Sequence, residues 1–118
     1  MNNNFKEMDF NNFLLSCKKN VLKMAQNGGC FIGSAFSCID ILAYLYSNIF
    51  DIEKIKNMEK DRDILILSKG HAVAGLYAVL AQVGIISKDR LKNYLTVKDD
   101  LYWHPNPNIP GIEFHSGS

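Results

Sequence analysis

A chain of 118 residues with 47% apolar and 21% charged side chains has the balance of a folded globular protein, and its length fits one domain around a single core. The formal net charge of +1 leaves no basic face, which argues against nucleic acid as a partner. Cys17, Cys30 and Cys38 are odd in number and match no zinc or disulfide spacing, so they read as reduced residues in or near the core.

The opening segment, Met1 to Asp9, carries Asn, Lys, Glu and Asp where a secretory signal needs an unbroken apolar stretch, and a cytoplasmic location is expected. A first helix is predicted after Asp9, with Phe10, Phe13, Leu14, Cys17, Val21, Met24 and Ala25 on one stripe. Asn27-Gly28-Gly29 stops it, and Gly28 to Ala35 reads as a loop. Ser37 and Asp40 resemble a capping box, placing a second helix over Ile39 to Phe50 that is apolar on nearly every face and poorly covered in so small a domain. Cys30 to Phe50 is apolar enough to suggest a membrane span, but Gly33, Ser34, Ser37, Asp40 and Asn48 interrupt it. An Asp near the middle of a span costs roughly 2.5 to 3.5 kcal/mol, so no membrane partner is expected.

Ile64-Leu65-Ile66-Leu67 is a short unalternating apolar run, read as a central parallel strand buried on both faces. After Ser68-Lys69-Gly70-His71, a small-residue helix is predicted from Ala72 to Val83, closed by Gly84. Ser87 then caps a short helix with Leu91, Tyr94 and Leu95 inward and Lys88, Asp89, Lys92 and Asn93 outward. The tail from Tyr102 is a loop, because Pro105, Pro107 and Pro110 bar helix and central strand alike.

A strand, a glycine turn and a helix in succession make the arrangement in which open α/β sheets bind ligands, and Gly70 and His71 fall at that turn. A helix N-terminus there offers backbone N–H groups and a positive dipole end to a phosphate. On spacing alone His71 is either a phosphate ligand or a turn histidine bonded to a backbone carbonyl. His104 and His115 also fall in predicted loops.

Read in order, Gly33-Ser34 with Ser37 and Asp40-Ile41-Leu42, then Asp61-Arg62-Asp63 with Ser68-Lys69-Gly70-His71-Ala72 and Leu76-Tyr77-Ala78, then His104-Pro105 and Pro110-Gly111-Ile112-Glu113 with Gly117, resemble the transketolase family over nearly the whole chain. Ser-Lys-Gly-His-Ala is more typical of transketolases made as two separate subunits. The resemblance implies that residues 1–118 are the N-terminal portion of a thiamine-diphosphate-binding domain. The fold it implies is α/β, three-layered, with a parallel sheet flanked by helices, incomplete in this chain. The implied activity is transfer of a two-carbon ketol unit from a ketose to an aldose, on sugars that are phosphorylated or not. The implied partners are a second copy of the same assembly and a complementary C-terminal subunit.

By the same resemblance His71 contacts the cofactor's diphosphate, and His104 is the catalytic histidine that bonds the donor sugar near the reacting carbon. Gly117 would bring its backbone against the aminopyrimidine ring, close approach being permitted by the missing side chain, with Ser118 beside it in the same loop. Phe31 stands where the family commonly has a substrate-side histidine. Phe neither donates a hydrogen bond nor shuttles a proton, which points to an unusual donor or acceptor.

The Gly-Asp-Gly element that supplies Mg²⁺ ligands in the family does not occur in these 118 residues. Since Mg²⁺ needs several oxygen ligands to hold a diphosphate, binding of thiamine diphosphate by this stretch alone is expected to fail. The glutamate that activates the aminopyrimidine would lie on the complementary subunit. An enzyme-subunit reading therefore expects coding sequence past Ser118. The competing readings are a catalytically inactive remnant or subunit-interaction fragment, and a free-standing phosphate-binding module using only the Gly70-His71 turn.

Overall fold

A computed structural model describes residues 7–26, 31–94, 101 and 107–113. Helix α1, Glu7–Ala25, begins two residues before the expected cap. Its apolar stripe faces inward as the 3.6-residue period requires: Cys17, Val21 and Met24 are fully buried, and Phe10, Phe13 and Leu14 pack beside them. Helix α2, Ile32–Tyr44, runs without a break into a π-type turn, Leu45–Ile49, where the Phe50 N–H donates to the Leu45 carbonyl at 2.8 Å.

Helix α2 thus starts well before the Ile39 boundary expected from the sequence. Ser37 is no cap: it lies inside the helix, where its hydroxyl donates to the Ser34 carbonyl at 2.7 Å. Phe31 takes the N-cap position without a side-chain hydrogen bond. Asp51 caps a short helix α3, Ile52–Lys56, by accepting from the Lys54 N–H at 3.4 Å, an element that the apolar pattern does not announce.

Helix α4, Val73–Gln82, follows a 3₁₀ turn, Gly70–Ala72, and every residue from Val73 to Ala81 is buried. Small side chains make this a helix that both α1 and α2 approach closely. A Cβ on Gly75 would lie 3.1 Å from the Ala35 carbonyl oxygen, which marks the tight crossing of α4 over α2. Asn20 of α1 reaches the same helix, its side-chain amide donating to the Ala78 carbonyl at 3.0 Å and to the Gln82 side-chain oxygen at 3.3 Å. The Ser87 cap forms as expected, accepting from the Asp89 N–H, but the turns that follow, Lys88–Asn93, are 3₁₀. Leu91 and Tyr94 point into the core there, as the pattern requires.

The expected α/β fold with a parallel sheet is overturned, because every regular element among the described residues is helical. Ile64–Leu67 carries no strand or bridge assignment, and no strand occurs among the described residues. A strand exists only through ladder hydrogen bonds to a neighbour, and an apolar run specifies extended backbone without specifying that neighbour. Burial alternates along it instead. Leu65 and Leu67 pack on the helical core, while Ile64 and Ile66 are 48% and 62% exposed, so the run is not buried on both faces.

The apolar span Ile32–Ile49 is long enough to cross a membrane by length and composition. Here it packs against α1 and α4, burying Ala35, Ile39, Leu42, Ala43 and Tyr46. Its far side carries Ile41, Tyr44 and Ile49 half or more exposed, the incomplete cover expected from its composition. Cys17 is buried and Cys38 half-buried, both free thiols, while Cys30 lies outside the described residues.

Candidate functional site

The α2–α4 crossing decides where the candidate site lies. Ala35 and Gly75 both sit in the first turns of their helices, so the two N-termini are brought to one corner. Neither helix has an acidic residue in its first turn. Two positive dipole ends therefore converge with no carboxylate in either first turn, an arrangement that favours an anion.

His71 stands at this corner in the 3₁₀ turn that opens α4, half-buried. Its ring meets that of Phe31 edge to face, with centroids 4.7 Å apart and planes at 89°. Such a contact is favourable and directional, and it joins the turn before α4 to the cap position of α2. Lys69, two residues before His71, extends its ammonium to the Ser37 hydroxyl at 2.6 Å. A lysine ammonium carries three donors, so this bond leaves others for an anion. Nearby, burial raises the Cys38 thiol above its usual range, with Lys69 pulling weakly the other way.

The backbone donors expected at this helix start are partly engaged already. The amide of Gly70 donates to Ser68, that of Ala72 to Lys69 at 2.9 Å, and that of Val73 to Gly70. An anion placed at this corner would meet the dipole ends, the Lys69 ammonium and the His71 ring more than open N–H groups.

A second constellation lies where the Pro-rich loop meets the segment before Ile64. Arg62 forms a two-pronged ion pair with Glu113, Nε to Oε2 at 2.8 Å and one terminal nitrogen to Oε1 at 2.9 Å. The pair spans 51 positions of sequence and neither side chain is more than 17% exposed. The guanidinium holds Glu113 below the usual carboxylate range, while desolvation opposes it. Both residues sit in motifs that the sequence singles out, but no spacing rule links them.

Of the residues expected to carry chemistry, the structure places His71. His104, Gly117 and Ser118 lie outside the described residues. Phe31 is placed beside His71, where it forms a wall rather than a polar contact. Among the described residues no three His, Cys, Asp or Glu side chains converge to hold a metal ion. The anion end of a diphosphate cofactor fits the described corner in charge and position; a metal does not find its ligands among those residues.

The family model described as "Transketolase, thiamine diphosphate binding domain" matches residues 15–118. An apulose-4-phosphate transketolase subunit of Phocaeicola vulgatus is 36% identical over 87 residues, which cover 74% of this chain and 31% of that protein. The protein of the same description from Actinobacillus succinogenes is 33% identical over 99 residues, covering 83% of this chain and 36% of that one. Human transketolase-like protein 2 is 32% identical over 92 residues, 78% of this chain and 15% of its own length. The chain spans about a third of the length of the two bacterial proteins.

Proposed function

Because this chain belongs to the transketolase family of thiamine-diphosphate-binding domains, we propose that it is the N-terminal part of the cofactor-binding subunit of a split transketolase. The activity is transfer of a two-carbon ketol unit from a ketose to an aldose, and the working assembly includes a complementary subunit. The observation that carries the reading is the corner at which His71 and Lys69 meet two unneutralised helix N-termini. Similarity to bacterial proteins that are themselves transketolase subunits supports the need for a second chain.

In this reading His71 and Lys69 bind the diphosphate and orient the cofactor, and the absence of acidic side chains in the first turns of α2 and α4 keeps that corner attractive to anions. Thiamine diphosphate, when bound, supplies the carbon nucleophile and the electron sink that the ketol transfer needs. Phe31 excludes water from one side of His71 and fixes the plane of its ring. His104 would hydrogen-bond the donor sugar, and Gly117 and Ser118 would approach the cofactor's ring.

Magnesium belongs to the proposal through the family, with its oxygen ligands supplied from outside the described residues. The exposed apolar side chains Ile41, Tyr44 and Ile49 favour burial against another chain, whether the complementary subunit or a second copy. A cytoplasmic location fits this sugar chemistry and the free thiols.

The test is calorimetric titration of the native gene product, mixed with its complementary subunit, with thiamine diphosphate and Mg²⁺. Saturable binding that weakens by tenfold or more in His71→Ala, with unchanged helical circular dichroism, is the expected result, since loss of a charged-group hydrogen bond has about that size. Binding equally tight in the variant would remove His71 from the site.

A further inference from the structure

Helices α1 and α2 run antiparallel, since Lys18 lies across from Asp40 and Phe10 from Tyr44. Both turn a buried stripe to the core, and both carry large apolar side chains on the side away from it. On α1 these are Leu15 and Leu22, each about half exposed, with the exposed Lys19 between them. Spacings of four and three residues stack the three in one row along the helix. On α2 the row is Ile41 and Tyr44, 64% and 51% exposed, and Ile49 continues it in the π-type turn. The two rows border one seam, which the Lys18–Asp40 ion pair crosses.

The charges of this face are divided between the helices. After Asp9, α1 carries Lys18, Lys19 and Lys23 and no acidic residue, whereas Asp40 is the single charged residue of α2. Asp40 is 67% exposed and its ion pair is long, at 3.8 Å. A carboxylate has several acceptor positions, so Asp40 retains capacity for a second cation.

A face arranged in this way is complementary to itself. Rotation by a half turn about an axis lying along the seam, parallel to the helices, keeps every residue at its own height and lays α1 of one copy over α2 of the other. Lys18 and Asp40 share one height, so Lys19 of each copy comes level with Asp40 of the other. Leu15 lies one turn from Lys19 in the direction in which Tyr44 lies one turn from Asp40, because the helices are antiparallel. Leu15 of each copy therefore comes level with Tyr44 of the other. Each contact forms twice, as an isologous interface requires, and charged pairs set the register of an apolar centre.

We infer that the α1–α2 face is an interface between two copies of this chain, closed by Leu15, Leu22, Ile41 and Tyr44 and held in register by Lys19–Asp40 pairs. The inference rests on the part of the proposed function that buries Ile41, Tyr44 and Ile49 against another chain, and it commits that burial to a second copy. Measurements of mass need no cofactor, so its failure and the failure of the thiamine diphosphate reading are distinguishable.

The experiment is analytical ultracentrifugation of the native gene product, alone and with its complementary subunit. Wild type is compared with Ile41→Asp, Lys19→Asp, Asp40→Lys and the charge-swapped double variant. The expected wild-type species contains two copies of this chain. Ile41→Asp should raise the Kd for self-association by roughly tenfold or more, since it places a charge at the apolar centre twice. Each charge reversal should raise it several-fold, and the double variant should return it close to the wild-type value, because opposite charges face each other again.

A wild type holding one copy of the chain, alone and in the complex, overturns the inference. So does self-association that Ile41→Asp leaves unchanged, or a double variant no better than the single reversals. Loss of the complementary subunit in Ile41→Asp from a single-copy complex assigns the face to that subunit instead. Flotation of a single-copy wild type with phosphatidylserine vesicles assigns it to a membrane surface. Slow hydrogen exchange of residues 15–22 and 41–49 in a single-copy wild type assigns it to the product's own chain. Should Ile41→Asp lose its helical circular dichroism, Tyr44→Ser reports on the same masses.

Discussion

Adding one methyl group at Gly75 tests the helix crossing on which the candidate site depends. Alanine in a helix interior is favoured over glycine by about 1 kcal/mol, so on propensity alone Gly75→Ala stabilises. The structure sets the opposite term: the new Cβ would lie 3.1 Å from the Ala35 carbonyl oxygen and 3.6 Å from its Cα. Backbone cannot swing aside as a side chain does, so α2 and α4 must separate, and overpacking of this kind costs roughly 1–3 kcal/mol. A net loss of about 1 kcal/mol is expected for Gly75→Ala, and about 3 kcal/mol for Gly75→Val, whose branched carbons press further into α2. Gly33, also helical, has nothing within 4 Å of its would-be Cβ. Gly33→Ala therefore keeps the propensity term without the clash and should stabilise by up to about 1 kcal/mol. Urea unfolding of the three variants followed by circular dichroism measures the differences, which correspond to roughly 3–5 °C in Tm per kcal/mol. Equal stabilisation by Gly75→Ala and Gly33→Ala would refute the close crossing.

Two further predictions concern pH. Arg62 holds Glu113, and Lys54 holds Asp61, below the usual carboxylate range. Groups with depressed folded-state pKa contribute stability that is present above their unfolded values, near 4, and lost as pH falls through the lower folded values. Tm should therefore drop below about pH 4, less steeply in Glu113→Gln; identical acid slopes would deny the pair its role. At the other limb, burial pushes the Cys17 thiol from 9.0 up to about 12. Between those values the unfolded chain loses a proton that the folded one keeps, so stability falls by up to about 1.4 kcal/mol per pH unit from this residue. Cys17→Ala should make the decline between pH 9 and 11 shallower in urea titrations, and an unaltered slope would show that the thiol ionises without unfolding.

What the sequence reveals and conceals follows from the range of the interactions involved. The α1 stripe is legible because a helix bonds within itself and its period of 3.6 shows directly in Cys17, Val21 and Met24. The start of α2 is not, because Gly33 and Ser34 disfavour helix locally and Ser37 with Asp40 imitates a cap. Burial of Ala35 against α4 outweighs those preferences, and such packing leaves no mark on neighbouring residues. The Ile64–Leu67 run is apolar enough to suggest a strand, but pairing is a property of two segments and cannot be read from one. At the site, the turn carrying His71 is readable as a glycine turn before a helix. Its contact with Phe31 and the Arg62–Glu113 pair join positions 40 and 51 apart by subtraction of their numbers, beyond the reach of any local pattern.

The concealed contacts are the ones that make the corner chemically distinct. A turn histidine before a helix is commonplace, and a single helix N-terminus offers an anion about half a unit of positive charge. Here the small residues Ala35 and Gly75 let α2 and α4 approach until two such ends share one corner. Lys69 is tethered there through Ser37, and His71 is fixed there against Phe31. The sequence supplies Gly75 for proximity, the lack of acidic residues in both first turns for field, and Lys69 for a full positive charge. On the proposed function, removing any one would weaken the binding of a diphosphate there. It follows that Gly75→Ala should cost affinity for a diphosphate beyond its cost in stability, because separating the helices separates the two dipole ends.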